Sequence, residues 1–245
     1  MKLKHAFAAA ACVLAFGVGS QAEAVPTQGT IPGAANQNDM LIPIFGPGTT
    51  TRQGLYGANL YLSGGPQDIV VEVLGYEASY INTFSFGGTT FTSTNNTTGN
   101  AHNNGEALAN GAFGSSGPGN WTVENVDTGI LNFIFGTNGG SGPVDQFVHN
   151  NVHNPNPITD SNAGPNFFIS FGNEKALSGQ VAYLFFDDNG VNEGVQDNHD
   201  DLVVRLSISN GTFVAPIPIP AAGFLLLGGL GVLGAAGLRR RRKES

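Results

Sequence analysis

Apolar residues alternate with polar ones in short runs along most of this chain. In "DLVVRLSI", Leu202, Val204, Leu206 and Ile208 share one side, with Val203, Arg205 and Ser207 opposite. Ile69, Val71 and Val73 line one side of "DIVVEVLGY". Leu131, Phe133 and Phe135 form another such set, as do Phe167, Ile169 and Phe171, and Val181, Tyr183 and Phe185. Tyr56, Ala58, Leu60 and Leu62 repeat the pattern. Successive side chains of a strand point to opposite sheet faces, so a period of two predicts half-buried strands. Between residues 25 and 214 no segment keeps a long 3.6-residue apolar period. Gly, Asn, Thr, Ser and Pro fill the intervals, residues that favour turns over strand interiors. Many short strands with this punctuation predict an all-β fold, an antiparallel β-sandwich of jelly-roll type, with strand order left open. Two intervals are long: the small, polar 87–120 and the Asn- and Pro-rich 149–166. Long loops in compact domains are usually functional or disordered.

The two ends break the pattern. Lys2, Lys4 and His5 precede an apolar stretch from Ala6 to Gly19, and Ala22-Glu23-Ala24 presents small residues where a signal peptidase reads. Residues 1–24 are therefore expected to be a signal peptide and signal helix cleaved after Ala24, the apolar stretch being too short to span a bilayer. Cys12, the chain's single cysteine, falls inside that stretch. The exported product then has no disulfide, and its stability must come from core burial or bound ions. Residues 25–214 remain as one ectodomain. Residues 215–245 read "APIPIPAAGFLLLGGLGVLGAAGLRRRRKES". Ala221 to Leu238 would make about 27 Å of helix, just able to cross a bilayer core of roughly 30 Å. This predicts a C-terminal transmembrane helix, with Arg239 to Lys243 held in the cytoplasm and the ectodomain outside.

Charge narrows the function. Within 25–214, Arg52, Lys175 and Arg205 are the only Lys or Arg residues against sixteen Asp and Glu, a net of −13. Nucleic-acid binding relies on cations meeting phosphates, so nucleic acid is excluded as a partner. Such a surface suits divalent cations and a salt-exposed secreted protein, and it suits plain solubility equally well.

A search for catalytic groups finds little. His149 and His153 in "HNNVH" have the spacing of a metalloprotease helix, but Asn150 stands where the general base belongs, and Asn and Pro crowd the segment. They read as loop histidines. No Gly-x-Ser-x-Gly elbow is present, and a thiol nucleophile is excluded once Cys12 is removed. Glu72 and Glu77 could be imagined as a glycosidase pair, a function that depends on a separation the sequence does not give. Trp121 in "GNWTVENV" is the candidate for stacking on a sugar, though a lone Trp at a strand start is more often packing.

The densest chemistry lies in "FFDDNGVNEGVQDNHDDLVVRL", residues 185–206. Asp187, Asp188, Asp197, Asp200 and Asp201, with Glu193 and several Asn, fall between one apolar run and the next. Carboxylates this close repel unless a cation sits among them. Calcium, which takes six to eight oxygens at flexible geometry, is the natural candidate cofactor. Gly190 and Gly194 would permit the tight turns a loop needs to wrap an ion. The spacing is not that of an EF-hand, since Val191 falls where an oxygen ligand belongs. His199 reads as a surface hydrogen-bonding residue. A solvated acidic hairpin loop, with Asp200 and Asp201 capping the last strand, explains the composition equally well.

The C-terminal segment closely resembles the sorting signals of the PEP-CTERM class, in particular the VPLPA-CTERM variant. Ile217-Pro218-Ile219-Pro220-Ala221 matches the signature, with Ile where that name has Val and Leu; Gly-rich hydrophobics and an Arg cluster follow in order. The resemblance implies export from a Gram-negative bacterium, transient anchoring in the inner membrane, and processing by signal peptidase and then an exosortase near the Pro motif. The product would sit on the cell surface or in the medium, often in an exopolysaccharide or biofilm setting. A weaker resemblance links "VVEVLGYEASYINTFSF" and "LFFDDNG…DNHDDLVVRL" to recurring segments of PEP-CTERM ectodomains. There an acidic turn before a final apolar strand is suspected of binding calcium, which implies Asp187, Asp188, Asp197, Asp200 and Asp201 here.

These readings converge on an exported, non-enzymatic surface or matrix protein stabilised by calcium. A carbohydrate-binding module using Trp121 is the alternative, and a secreted carboxylate-dependent glycoside hydrolase the second.

Overall fold

The computed structural model describes residues 25–32, 38–77, 79–95, 101–140, 142–151, 154–160, 164–189 and 199–215. The segment expected to be a signal peptide, with Ala22 and Ala24, the acidic Asp197, and the tail with Ile217, Pro218, Ile219, Pro220 and Ala221 lie outside the described residues. Among the described residues no helix is long and apolar enough to cross a membrane.

The chain is all-β. In order, β1 spans Thr27–Ile31, a five-residue helix α1 spans Leu41–Phe45, and β2 (Arg52–Tyr56), β3 (Tyr61–Ser63), β4 (Gln67–Tyr76), β5 (Asn82–Phe86), β6 (Thr89–Thr92) and β7 (Ala101–His102) follow. After them come β8 (Asn120–Val126), β9 (Gly129–Ile130), β10 (Ile134–Thr137), β11 (Gln146–His149), β12 (Asn166–Phe171), β13 (Ser178–Gly179), β14 (Val181–Asp187), β15 (Leu202–Ser207) and β16 (Thr212–Val214). The large sheet has the order β1-β2-β12-β14-β15-β4-β7, with β8 also on β4. A second sheet runs β11-β10-β5-β6, and a third β13-β16-β3-β9. Every ladder is antiparallel, as the alternating pattern predicts.

The main core draws side chains from all three sheets. Val71, Val73, Leu184, Phe186, Leu202, Val204 and Leu206 come from the large sheet, Phe84, Phe91 and Phe135 from the second, and Leu62 and Phe213 from the third. The rings of Phe135 and Phe186 stack at 4.8 Å between centroids, joining the large sheet to the second. The faces predicted for Ile69–Val73, Leu131–Phe135, Phe167–Phe171 and Leu202–Ile208 all point into this cluster.

Two sets depart from expectation. In β14 the face turned to the main core is Ala182, Leu184 and Phe186, while Phe185 lies in a second cluster with Ile31, Met40, Leu41, Tyr56, Leu74, Phe168 and Val203. That cluster covers the other face of the large sheet under α1, so β12 and β14 are buried on both faces rather than one. The set from Tyr56 to Leu62 is also divided. Gly57 takes a left-handed φ of 64°, and a Cβ there would stand 2.6 Å from Asn156 Cβ. The turn it makes leaves Tyr56 in the second cluster and Ala58, Leu60 and Leu62 in the first.

The two long intervals are also more built than their composition suggests. Residues 87–120 contain β6, β7 and a short helical turn at Ala112–Gly114. In 149–166 three asparagines bond the backbone. Asn150 Nδ2 donates to Leu60 O and Leu131 O, and its Oδ1 accepts from Leu60 N–H at 2.7 Å. Asn154 does the same between Ala58 O, Phe167 O and Phe167 N–H. Asn156 Nδ2 reaches Val25 O and Thr27 Oγ1.

Candidate metal centre

Strands β14 and β15 form a ladder whose last register pair is Phe186 with Leu202. Beyond that pair the two chains carry Asp187 and Asp188 on one side and Asp201 on the other. Both strands are anchored by apolar residues on both faces, so the carboxylates at their open end are held where the ladder places them. Asp187 and Asp188 are buried, with exposures of 5% and 6%, and Asp201 is half-buried. One oxygen from each of the three carboxylates lies within 4.8 Å of the others, and such a group could hold a metal ion.

Backbone and amide donors fix the cluster. Asp188 N–H donates to Asp201 Oδ2 at 2.9 Å, and Asn189 N–H to Asp187 Oδ1 at 2.9 Å. Asn82, the first residue of β5, donates Nδ2 to Asp188 Oδ2 at 2.8 Å and to Asp201 O at 3.4 Å. Its own backbone N–H is taken by Ser93 Oγ at 2.8 Å. These few donors do not offset the cost of burying charge. Burial raises the Asp188 pKa to about 6, the Asn82 bond works against that shift, and the Asp187 charge adds to it. Asp201 is pushed well above the usual carboxylate range by burial and by the charges of Asp188 and Asp187. Buried like charges that resist ionisation are what a bound cation would relieve.

Asp200, expected among the ligands, is turned elsewhere. Its Oδ2 accepts from Asp39 N–H at 2.8 Å, and its carboxyl also hydrogen-bonds the Glu77 side chain. Asp200 is thus outside the group that Asp187, Asp188 and Asp201 form. Asp200 is fully buried, and burial raises its pKa to about 8. His199 is not at the surface. It is fully buried at a left-handed φ of 52°, with Nε2 paired to Asn166 Oδ1 at 2.8 Å and its ring edge-on to Tyr56 and Phe168.

The other candidates are dispersed. Trp121 is half-buried against the main core, 6.0 Å from Phe84 between ring centroids, and its Nε1 donates to Phe86 O at 3.1 Å. Glu72 gives both oxygens to Arg205, at 2.7 Å to Nε and 2.8 Å to Nη2. His149 ends β11, and His153 lies outside the described residues.

The sequence singled out neither Asn82 nor Asp39, and Glu77, considered there only as half of a glycosidase pair, hydrogen-bonds Asp200 instead. Asn82 sits 106 residues from Asp188, in a chain where Asn is too common to be a signal. The chain matches no protein-family model, no curated protein and no solved structure.

Proposed function

We propose that this chain is an exported, exosortase-processed cell-surface or extracellular-matrix protein, non-enzymatic, whose sheets pack as an antiparallel sandwich fastened at one end by calcium. The observation that supports the calcium reading is the buried group of Asp187, Asp188 and Asp201 at the open end of the β14–β15 ladder. Its donors are all hard oxygens, which suit calcium or magnesium better than the nitrogen- and sulfur-seeking transition metals. Calcium tolerates an irregular, partly hydrated oxygen set, whereas magnesium demands near-octahedral geometry. The export reading is supported by the order of Pro motif, apolar run and Arg cluster in 215–245. Placement in an exopolysaccharide or biofilm matrix follows from the same resemblance.

Calcium that binds only the folded state stabilises it by about 2.7 kcal/mol at a hundredfold excess over its dissociation constant. The melting temperature should therefore rise between chelator and millimolar calcium, and fail to rise in Asp188→Asn. Equal melting temperatures for the wild type in both conditions would reject the calcium reading. Intact mass of the protein isolated from its native host tests processing, with loss of residues 1–24 and of the tail as the expected result.

A further inference from the structure

The acidic turn gathers buried polar atoms that lack hydrogen-bond partners. Asn82 Oδ1 and Asn166 Nδ2 have none, although both residues are fully buried. Both residues touch the 199–201 segment. Buried polar atoms are nearly always paired in native folds, and an orphan of this kind points to a missing ion or water. Asn82 is the informative one. Its amide already touches Asp188 and Asp201. It is neutral, so its place there is not explained by charge density along the sequence. An amide oxygen is also a ligand type calcium uses beside carboxylates.

We infer that Asn82 is a fourth, neutral oxygen ligand of the cation held by Asp187, Asp188 and Asp201, so that one hard divalent ion is bonded to two sheets at once. This rests on the calcium reading above and deepens it. The three carboxylates stand at the end of β14 and the start of β15 in the large sheet, while Asn82 begins β5 in the second sheet. The pair of bonds from Asn82 Nδ2 links them. With the ion bound, the amide turns over so that Oδ1 takes the place of Nδ2, a metal–oxygen bond replaces that link, and the start of β5 is fastened to the β14–β15 ladder. The amide adds no charge, so three carboxylates meet a divalent ion with a net of −1. That leaves less repulsion than a fourth carboxylate would.

The experiment is calcium titration of the full-length chain against a competing chromophoric chelator, for wild type, Asn82→Ala and Asn82→Asp, with amide hydrogen exchange along 82–86. Asn82→Ala should weaken calcium by at least about tenfold, a scale reached even by residues that only hydrogen-bond a metal's ligands. Calcium should slow exchange at 82–86 in the wild type and fail to do so in Asn82→Ala. Should Asn82→Ala not fold, Asn82→Asp decides: an isosteric fourth carboxylate bonded to the ion should enlarge the calcium-induced rise in melting temperature. A wild type that binds calcium while Asn82→Ala binds it equally tightly, or while Asn82→Asp shows no larger shift, overturns this inference and leaves the calcium reading standing. A wild type that binds no calcium overturns both.

Discussion

Asn150 turns both ends of its amide onto the backbone, accepting from Leu60 and donating to Leu60 and Leu131. The residue is fully buried, so no water replaces those bonds if the side chain is removed. Leaving buried backbone groups unpaired costs about 1–3 kcal/mol each. Asn150→Ala should destabilise the fold by about 3 kcal/mol or more in urea unfolding, and Asn150→Asp, which keeps the acceptor but loses both donors, should be no milder. A loss under about 1 kcal/mol for Asn150→Ala would show that this amide does not clamp β3 to the 131 segment. The same residue type explains what a sequence reading could and could not find. The stretch 149–166 reads as a loop by composition, and composition does not separate an amide facing solvent from one that replaces a ladder. Asn82 escaped attention for the same reason, whereas Asp187, Asp188 and Asp201 were legible because carboxylates crowded around a turn are unusual.

Strands β2 and β12 meet so closely that no side chain fits at Gly54. A Cβ there would lie 2.1 Å from Ile169 O and 2.6 Å from the Phe168 ring. Neither the carbonyl of a central strand nor a ring packed in the second cluster can give way without moving the ladder. Gly54→Ala should therefore destabilise by about 1–3 kcal/mol, the usual range for overpacking, read as a lower urea midpoint. An unchanged midpoint would mean that β2 is free to shift against β12. At this scale the period-two pattern located most strands and the inward face of β15, because each face is decided by its own residues. It failed for β14, where burial on both faces erases the alternation. It also missed the irregularity at Leu74. There Val73 pairs with Val204 and Gly75 with Val203, leaving Leu74 as the extra residue, turned to the outer cluster. Which neighbour covers a face, and where a ladder takes an extra residue, depends on contacts between distant segments that a local pattern does not contain.

Across the molecule, carboxylates far outnumber cations, and several of them are buried at one end, so stability is linked to pH. Folding raises the pKa of Asp188 to about 6 and of Asp200 to about 8. Both are near 3.9 in an unfolded chain. The folded state thus holds more protons than the unfolded state between those values, and stability falls as pH rises from about 4 through about 8. Calcium at Asp187, Asp188 and Asp201 favours the ionised form and releases protons, so it should remove the part of the slope that belongs to Asp188. Asp200 faces Glu77 and Asp39 rather than the Asp187, Asp188 and Asp201 group, with His199 beside it in the chain, and its part should persist in calcium. Comparing wild type with Asp200→Asn isolates that part, because titration of the other groups nearly cancels in the difference. Asparagine copies the protonated carboxyl, accepting from Asp39 N–H and donating towards Glu77. In millimolar calcium, Asp200→Asn should gain on wild type steadily between pH 5.5 and pH 8.5 and melt above it at pH 8.5. A variant less stable than wild type at pH 8.5 would show that Asp200 is needed as a carboxylate. In that case the acidic turn would be one larger cation site rather than an ion cluster beside a protonated pair.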